Sequence, residues 1–316
     1  MIKRFSIKAL RLALVLLLIS FFSFAVIEAA PGDISSMYLT QDMTQAEREL
    51  VIQKLGLDQT MMQRYFSWLG QALQGNFGVS LSYKTPVAPM LLKRLPSTLL
   101  LMGTSLALSL ALAVPLGLVA GYKRNTWIDH FISGFAYLGM SIPPFYFGIL
   151  LIILFTATLH WLPSSGMHTV GVNTLADTLL HMIMPVLTLA LGTMASKIRY
   201  VRANTIQQMG EDYVLAARAR GCSSWQILHR HVLKNTLLPI ITLLGMNLAS
   251  LVCGSFIVES VFGWPGIGSF AMEAIGKRDY PIIMMYVMLS GFILVVGNLV
   301  ADLVYALADP RIQKEN

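Results

Sequence analysis

Charge is what this sequence has least of. Only 12% of its 316 residues are Asp, Glu, Lys or Arg, against 55% hydrophobic residues. Soluble domains carry about 25% charged residues, so an ordinary solvated globular surface is excluded. Cysteine is almost missing: Cys222 and Cys253 are the only two, with neither a disulfide framework nor metal-ligand spacing between them. Signatures of chemistry are missing as well. The chain contains no G-x-x-x-x-G-K-[ST] phosphate loop, no H-E-x-x-H pair and no G-x-S-x-G turn. His229 and His231, two residues apart, diverge on a helix, and His160, His168 and His181 are scattered. No catalytic apparatus and no metal centre are expected, and the chain is not expected to be an enzyme.

What is present is apolar and continuous. Five runs without charge are long enough, or nearly so, to cross a bilayer as helix: Leu99–Val119, Phe131–Leu159, Thr178–Ser196, Thr236–Val258 and Pro281–Ala301. A sixth, Leu12–Ile27, is shorter and extends through Glu28, Ala29 and Ala30. Its basic start and small residues also fit a signal peptide, but Pro31 makes a poor cleavage context, so an uncleaved first helix is expected. The fold class is an all-α integral membrane protein with six transmembrane helices.

Orientation follows from the basic residues. Most of the 23 Lys and Arg lie at the amino terminus, after the second run (Lys123, Arg124), between Lys197 and Lys234, or at the carboxyl end. The stretch from His160 to Asp177 has none. Both termini are therefore expected on the cytoplasmic side, and the net charge of +7 reflects topology without a nucleic-acid partner. Pro31 to Leu95 becomes an extracytoplasmic segment with helix-like spacing at Leu50, Val51 and Leu55, and again at Met61, Met62, Tyr65, Phe66 and Leu69. It reads as a folded cap or as a docking surface. Pro143 and Pro144 mark either a bend or the lining of a pathway. Glu259 and Asp302 sit at the edges of apolar runs, where a carboxylate is a functional candidate or pairs with loop cations such as Arg278 and Arg311.

One basic segment stands apart: "LAARARGCSSWQILHRHVLKNTLLP", Leu215 to Pro239, with Arg218, Arg220, His229, Arg230, His231 and Lys234 and no carboxylate. Glu211 and Asp212 suit the positive end of a short helix, and Arg218 and Arg220 its negative end. Gly221 fits the left-handed position that stops such a helix. Ser223 and Gln226 form an S-x-x-Q capping box opening a second helix. Trp225, Leu228 and Val232 are expected on one face of it, with Gln226, His229, Arg230 and Lys234 on the other. A lipid-facing basic loop would need no such caps, so the pattern points to a folded surface offered to a partner.

"AARARG" at Ala216–Gly221 with "LHRHVLKNTLLP" at Leu228–Pro239 resembles the EAA loop of ABC-importer permeases, and within them the oligopeptide, dipeptide and nickel permease family. The departures from the E-A-A-x-x-x-G and I-x-L-P pattern are Leu215 for Glu, His231 for Ile and Lys234 for Pro. "LGLDQ", "FGVSLSYKTPV", "GMSIPPF", "WLPSSG", "MPVLTLALG", "VESVFGWPGIGSF", "KRDYPII" and "ADPRI" extend the resemblance over nearly the whole chain. It implies a bacterial cell-membrane permease subunit with residues 1–30 as first helix, 31–95 outside, 96–310 as the core with a coupling loop at 197–235, and 311–316 as a cytoplasmic tail. It also implies a second permease subunit, two ATPase subunits that carry the ATP and Mg, and an extracytoplasmic solute-binding protein. Ala216, Ala217, Gly221, Ser223, Ser224 and Trp225 become the candidate ATPase-coupling residues, and Pro143, Pro144 and Glu259 candidates for the pathway or a helix bend. Peptides are the expected cargo, with nickel or a nickel chelate as the alternative; a proton-coupled carrier is the alternative of another class.

Overall fold

The computed structural model describes residues 2–29, 44–46, 49, 59–236 and 255–308. Most of the expected fifth span, Cys253, the run at Leu50, Val51 and Leu55, the tail 311–316 and the side chain of Asp302 lie outside the described residues. Regular structure in the described part is helical, apart from one isolated antiparallel bridge between Val79 and Pro86. In order come α1 (Ile2–Glu28), α2 (Met61–Ala72), α3 (Val87–Tyr122), α4 (Trp127–Ser141) and α5 (Pro144–Leu151), the last running on as a π-helix over Ile152–Thr158. Then follow α6 (Leu175–Met209), α7 (Asp212–Ala219), α8 (Ser224–Gln226, continued as π-helix over Ile227–Val232), α9 (Ile267–Gly276) and α10 (Tyr280–Ala308).

Among the described residues three helices are long and apolar enough to cross a membrane: Val87–Tyr122, Leu175–Met209 and Tyr280–Val300. The pair α4 and α5 with its π extension makes a fourth if counted as one span, but it turns by 100° at the break. The sequence suggested a single charge-free run there, with a bend or pathway lining at Pro143 and Pro144. Pro143 is why it breaks: α4 ends with Ile142 in extended geometry, Pro143 stands at the N-cap of α5 and Pro144 at its first position, where the missing N–H costs no hydrogen bond. The run expected at Leu99 also starts earlier, at Val87, because Pro89 falls in the first turn of α3, where a proline is tolerated.

The chain forms two compact units, Met1–Pro96 with Phe270–Val295, and Ser97–Ser269 with Val296–Asn316. In the first, α2 packs on α1 through Tyr65, which is 2% exposed. The turn before α3 is fixed to the start of α10: Asp279 accepts hydrogen bonds from Ser80 Oγ at 2.6 Å and from the Ser82 N–H at 2.9 Å. Beside it Glu273 Oε1 accepts from Lys277 Nζ at 2.6 Å and from the Tyr83 hydroxyl at 2.5 Å. Those two donors, Lys277 foremost, hold the Glu273 carboxyl below its ordinary range.

In the second unit α6 is the most enclosed of the spanning helices. Its backbone meets that of α3 at Gly117 and Gly121, one turn apart. A Cβ at Gly117 would lie 2.5 Å from Val201 Cβ and 2.9 Å from the Ile198 carbonyl oxygen; at Gly121 it would lie 2.6 Å from Thr205 Cβ and 2.9 Å from the Arg202 carbonyl oxygen. Small residues at this spacing let membrane helices approach through their backbones. Asp129, 1% exposed at the start of α4, ties that helix to α6 by accepting from Arg202 Nη2 at 2.8 Å and Nε at 2.5 Å. Its Oδ2 also receives the Asn125 N–H at 2.9 Å.

Glu259 is fully buried in the same unit. Its Oε1 accepts from Thr98 Oγ1 at 2.7 Å, and its Oε2 accepts from the N–H groups of Gly268 and Ser269 at 2.7 and 3.0 Å. Thr98 Oγ1 in turn accepts the Ile267 N–H at 2.9 Å. Together they satisfy the first N–H groups of α9, which have no intrahelical partners. A Cβ on Gly266 would fall 2.2 Å from Glu259 Oε2, so glycine is what admits the carboxylate.

Two expectations follow. Gly117→Val and Gly121→Val each lose about 1–3 kcal/mol of stability to overpacking, read as a lower thermal midpoint of the purified protein. Gly103→Ala, with nothing within 4 Å, leaves the midpoint in place. Glu259→Ala orphans buried donors and costs on the order of 3 kcal/mol, whereas Glu259→Gln, which keeps an acceptor, costs less. Loss of transport in Glu259→Gln at an unchanged midpoint would instead reveal a titrating role.

Candidate functional site

The basic segment folds as two capped helices. Glu211 stands at the N-cap of α7, with Asp212 in the first turn and Arg218 in the last. Gly221 follows at φ +80°. The Cys222 N–H reaches the Ala217 carbonyl at 3.1 Å and the Gly221 N–H the Arg218 carbonyl at 2.9 Å. That pair of bonds closes a helix over a left-handed glycine. Ser223 then opens α8: its hydroxyl accepts the Gln226 N–H at 3.3 Å while Gln226 Oε1 accepts the Ser223 N–H at 2.9 Å.

The face of the second helix differs from the one spacing suggested. Leu228 and Val232 are buried, but Trp225 is 65% exposed. After Gln226 the helix widens to a π-helix over Ile227–Val232, whose bonds run i to i+5. That period brings Ile227, 1% exposed, onto the inner face with Val232 and leaves Trp225 outside. There its ring lies 4.4 Å from that of His229. The sequence carries no marker of the π-turn, so the α-helical phase misplaced the tryptophan.

Val214, Ala217, Ile227, Leu228 and Val232 join Leu118 of α3 and Val201 of α6 in one buried cluster. Ala217, one of the coupling candidates named from the sequence, is turned inward and packs within the chain, because the phase of α7 that buries Val214 buries Ala217 one turn on. Ala216, Gly221, Ser223, Ser224 and Trp225 are exposed. So is Leu215, at 57%, a residue sequence reading noted only as a departure from pattern. Leu215 and Trp225 are large apolar groups left uncovered on a segment where Val214, Ile227, Leu228 and Val232 are buried.

The other singled-out residues lie elsewhere. Pro143 and Pro144 form the α4–α5 elbow. Glu259 is engaged in capping α9, and its partners are Thr98 and backbone N–H groups in place of the loop cations the sequence suggested. His168 and His181, scattered in sequence, both approach Asp177, at 3.9 and 3.7 Å, because the turn before α6 folds back on its first turn. Among the described residues no group of three or more His, Cys, Asp or Glu could hold a metal ion.

The sequence matches the family described as "Binding-protein-dependent transport system inner membrane component" over residues 113–314, and the amino-terminal component of the same systems over residues 1–102. It is 39% identical over 301 residues to the oligopeptide transport system permease protein AppB of Bacillus subtilis, covering 95% of each chain. A putative peptide permease of Brucella suis is 37% identical, over 94% of this chain and 95% of its own. The glutathione transport system permease protein GsiC of Escherichia coli is 34% identical over 94% of both. In fold, the chain is similar to an inward-facing structure of the MetNI methionine ABC transporter, with TM-score 0.57 and 16% identity over 70% of this chain and 96% of that one. The chain belongs to the family of binding-protein-dependent transport system inner membrane components: it is a permease subunit of an ABC importer, multi-pass in the bacterial plasma membrane, and leaves ATP hydrolysis to a separate subunit.

Proposed function

We propose that this subunit forms part of the translocation pathway for short peptides handed over by an extracytoplasmic solute-binding protein. It pairs with a second homologous permease subunit, and two ATPase subunits carrying ATP and Mg dock beneath. The chain crosses the bilayer six times with both termini inside: residues 1–30 as the first helix, 31–95 as the outer segment, 96–310 as the permease core and 311–316 as the tail. The basic-residue distribution supports this orientation. The relatives described above are named for oligopeptides, peptides and glutathione, itself a peptide, which favours peptides over nickel.

The observation that carries the coupling role is the exposure of Leu215 and Trp225 on a segment otherwise packed and capped. Exposed tryptophans surrounded by small residues make effective interface anchors. The loop is a coupling element whose outer edge, Leu215, Ala216, Gly221, Ser224 and Trp225, seats in an ATPase subunit, while Ser223 shapes the turn that presents it. Pro143 and Pro144 set an elbow in the membrane region.

Trp225→Ala removes an anchor worth about 2 kcal/mol or more, roughly a 30-fold loss in ATPase-subunit affinity, measured by co-purification. Gly221→Pro, which cannot adopt positive φ, abolishes uptake while the chain still inserts; normal uptake by this variant would count decisively against the coupling role. In vesicles of the assembled transporter, labelled di- or tripeptide uptake stops on ATP depletion and survives collapse of the proton gradient. Nickel ions that enter without any peptide, and compete with none, would shift the cargo to the metal.

A further inference from the structure

Helix α2 has a second apolar edge that the fold leaves open. Its inner face is fixed on α1: the Tyr65 hydroxyl meets Ser20 Oγ at 2.9 Å and lies 3.4 Å from the Leu17 carbonyl oxygen, and Arg64 pairs with Glu28. The Trp68 ring lies 6.1 Å from that of Phe24. Beside this seam stand Met62, Phe66 and Leu73, 49%, 65% and 81% exposed. They recur at steps of four and seven and so share one edge. Across the helix Gln63, Ser67 and Gln71 are exposed and polar.

The position of the seam identifies what covers the open edge. Contacts from α2 reach α1 between Leu17 and Glu28, a stretch of about 16 Å at 1.5 Å per residue. That is roughly half of the ~30 Å hydrocarbon core. On the reading of α1 as the first membrane span, α2 therefore lies beside its outer half. α1 presents its own exposed apolar stripe there and below, Leu14, Leu18, Phe22 and Val26. Arg64 is the one ionised residue of α2, and it is held by Glu28, so nothing on the exposed edge needs an anionic headgroup.

We infer that α2 is an interfacial helix seated in the outer leaflet, with Met62, Phe66 and Leu73 immersed in acyl chains and Gln63, Ser67 and Gln71 toward headgroups and water. Its partner is a lipid surface, bound by apolar area and independent of lipid charge. This rests on the six-span topology proposed above.

Single cysteines answer the question in the full transporter, reconstituted in zwitterionic phosphatidylcholine vesicles with Cys222→Ser and Cys253→Ser as background. Spin labels are placed through Met62→Cys, Phe66→Cys and Leu73→Cys on the edge, Gln63→Cys and Gln71→Cys across the helix, and Leu18→Cys and Val26→Cys on α1. The expected result is collision with oxygen exceeding collision with a water-soluble nickel chelate several-fold along the edge, and the reverse at Gln63 and Gln71. Edge labels open to the chelate would overturn the proposal in favour of a water-facing surface. Edge labels shielded from both reagents would overturn it in favour of a protein partner, a sister subunit or second copy. If Leu18 and Val26 labels are themselves open to the chelate, α1 is not a span and the topology falls with the proposal; lipid-like α1 labels beside water-exposed edge labels sink the α2 placement alone.

Discussion

The second unit depends on one contact, the backbone-to-backbone approach of α3 and α6 at Gly117 and Gly121. Lipid offers apolar side chains no net advantage in leaving it, so membrane helices hold together by closeness of fit. Val201 makes the dependence visible. It is the residue that a Cβ on Gly117 would strike, and it also belongs to the buried cluster beneath the basic loop. The buried cluster beneath the loop thus meets α6 within a turn of the place where α6 and α3 touch through their backbones. Asp129 and Arg202 add α4 to the same body at the level of Gly121, whose Cβ would meet the Arg202 carbonyl.

Much of this was legible in the sequence where a local rule had a single reading. The Ser223–Gln226 capping box, the left-handed Gly221 and the charge order of Glu211, Asp212 and Arg218 are all short-range, and each takes its expected form. What escaped was set by tertiary contacts. The π-turn at Ile227–Val232 shifts helical phase by about a residue per turn and leaves no compositional trace, so α-helical spacing puts Trp225 on the inner face and the structure puts it outside. Glu259 looked interfacial from its place in an apolar run; Thr98, far away in sequence, and the glycines at 266 and 268 decide its environment. Gly117 and Gly121 could have been noticed as small residues one turn apart, but only the facing Val201 and Thr205 give that spacing a meaning.

Two buried carboxylates illustrate how the fold uses charge where water is scarce. Asp129 meets a guanidinium and backbone N–H, and Glu259 a helix terminus. Both are held by donors already fixed in direction. An unpartnered carboxylate at such depth would cost several kcal/mol, which accounts for the closeness of the surrounding glycine and hydroxyl groups.

The elbow at Pro143 has a geometric corollary. Its arms, Trp127–Ser141 and Pro144–Thr158, are each about 20 Å long at helical rise, and they meet after a turn of 100°. Laid end to end around that corner, they reach only about 25 Å, and only when both lean steeply away from the bilayer normal. A leaning pair leaves a wedge of space inside its angle. α6 fills it: Leu191 and Ala195 lie against Gly139 on one arm, and Thr188 against Gly148 on the other. α6 is the post and the bent pair the clasp that wraps it, so both arms take their position from one helix.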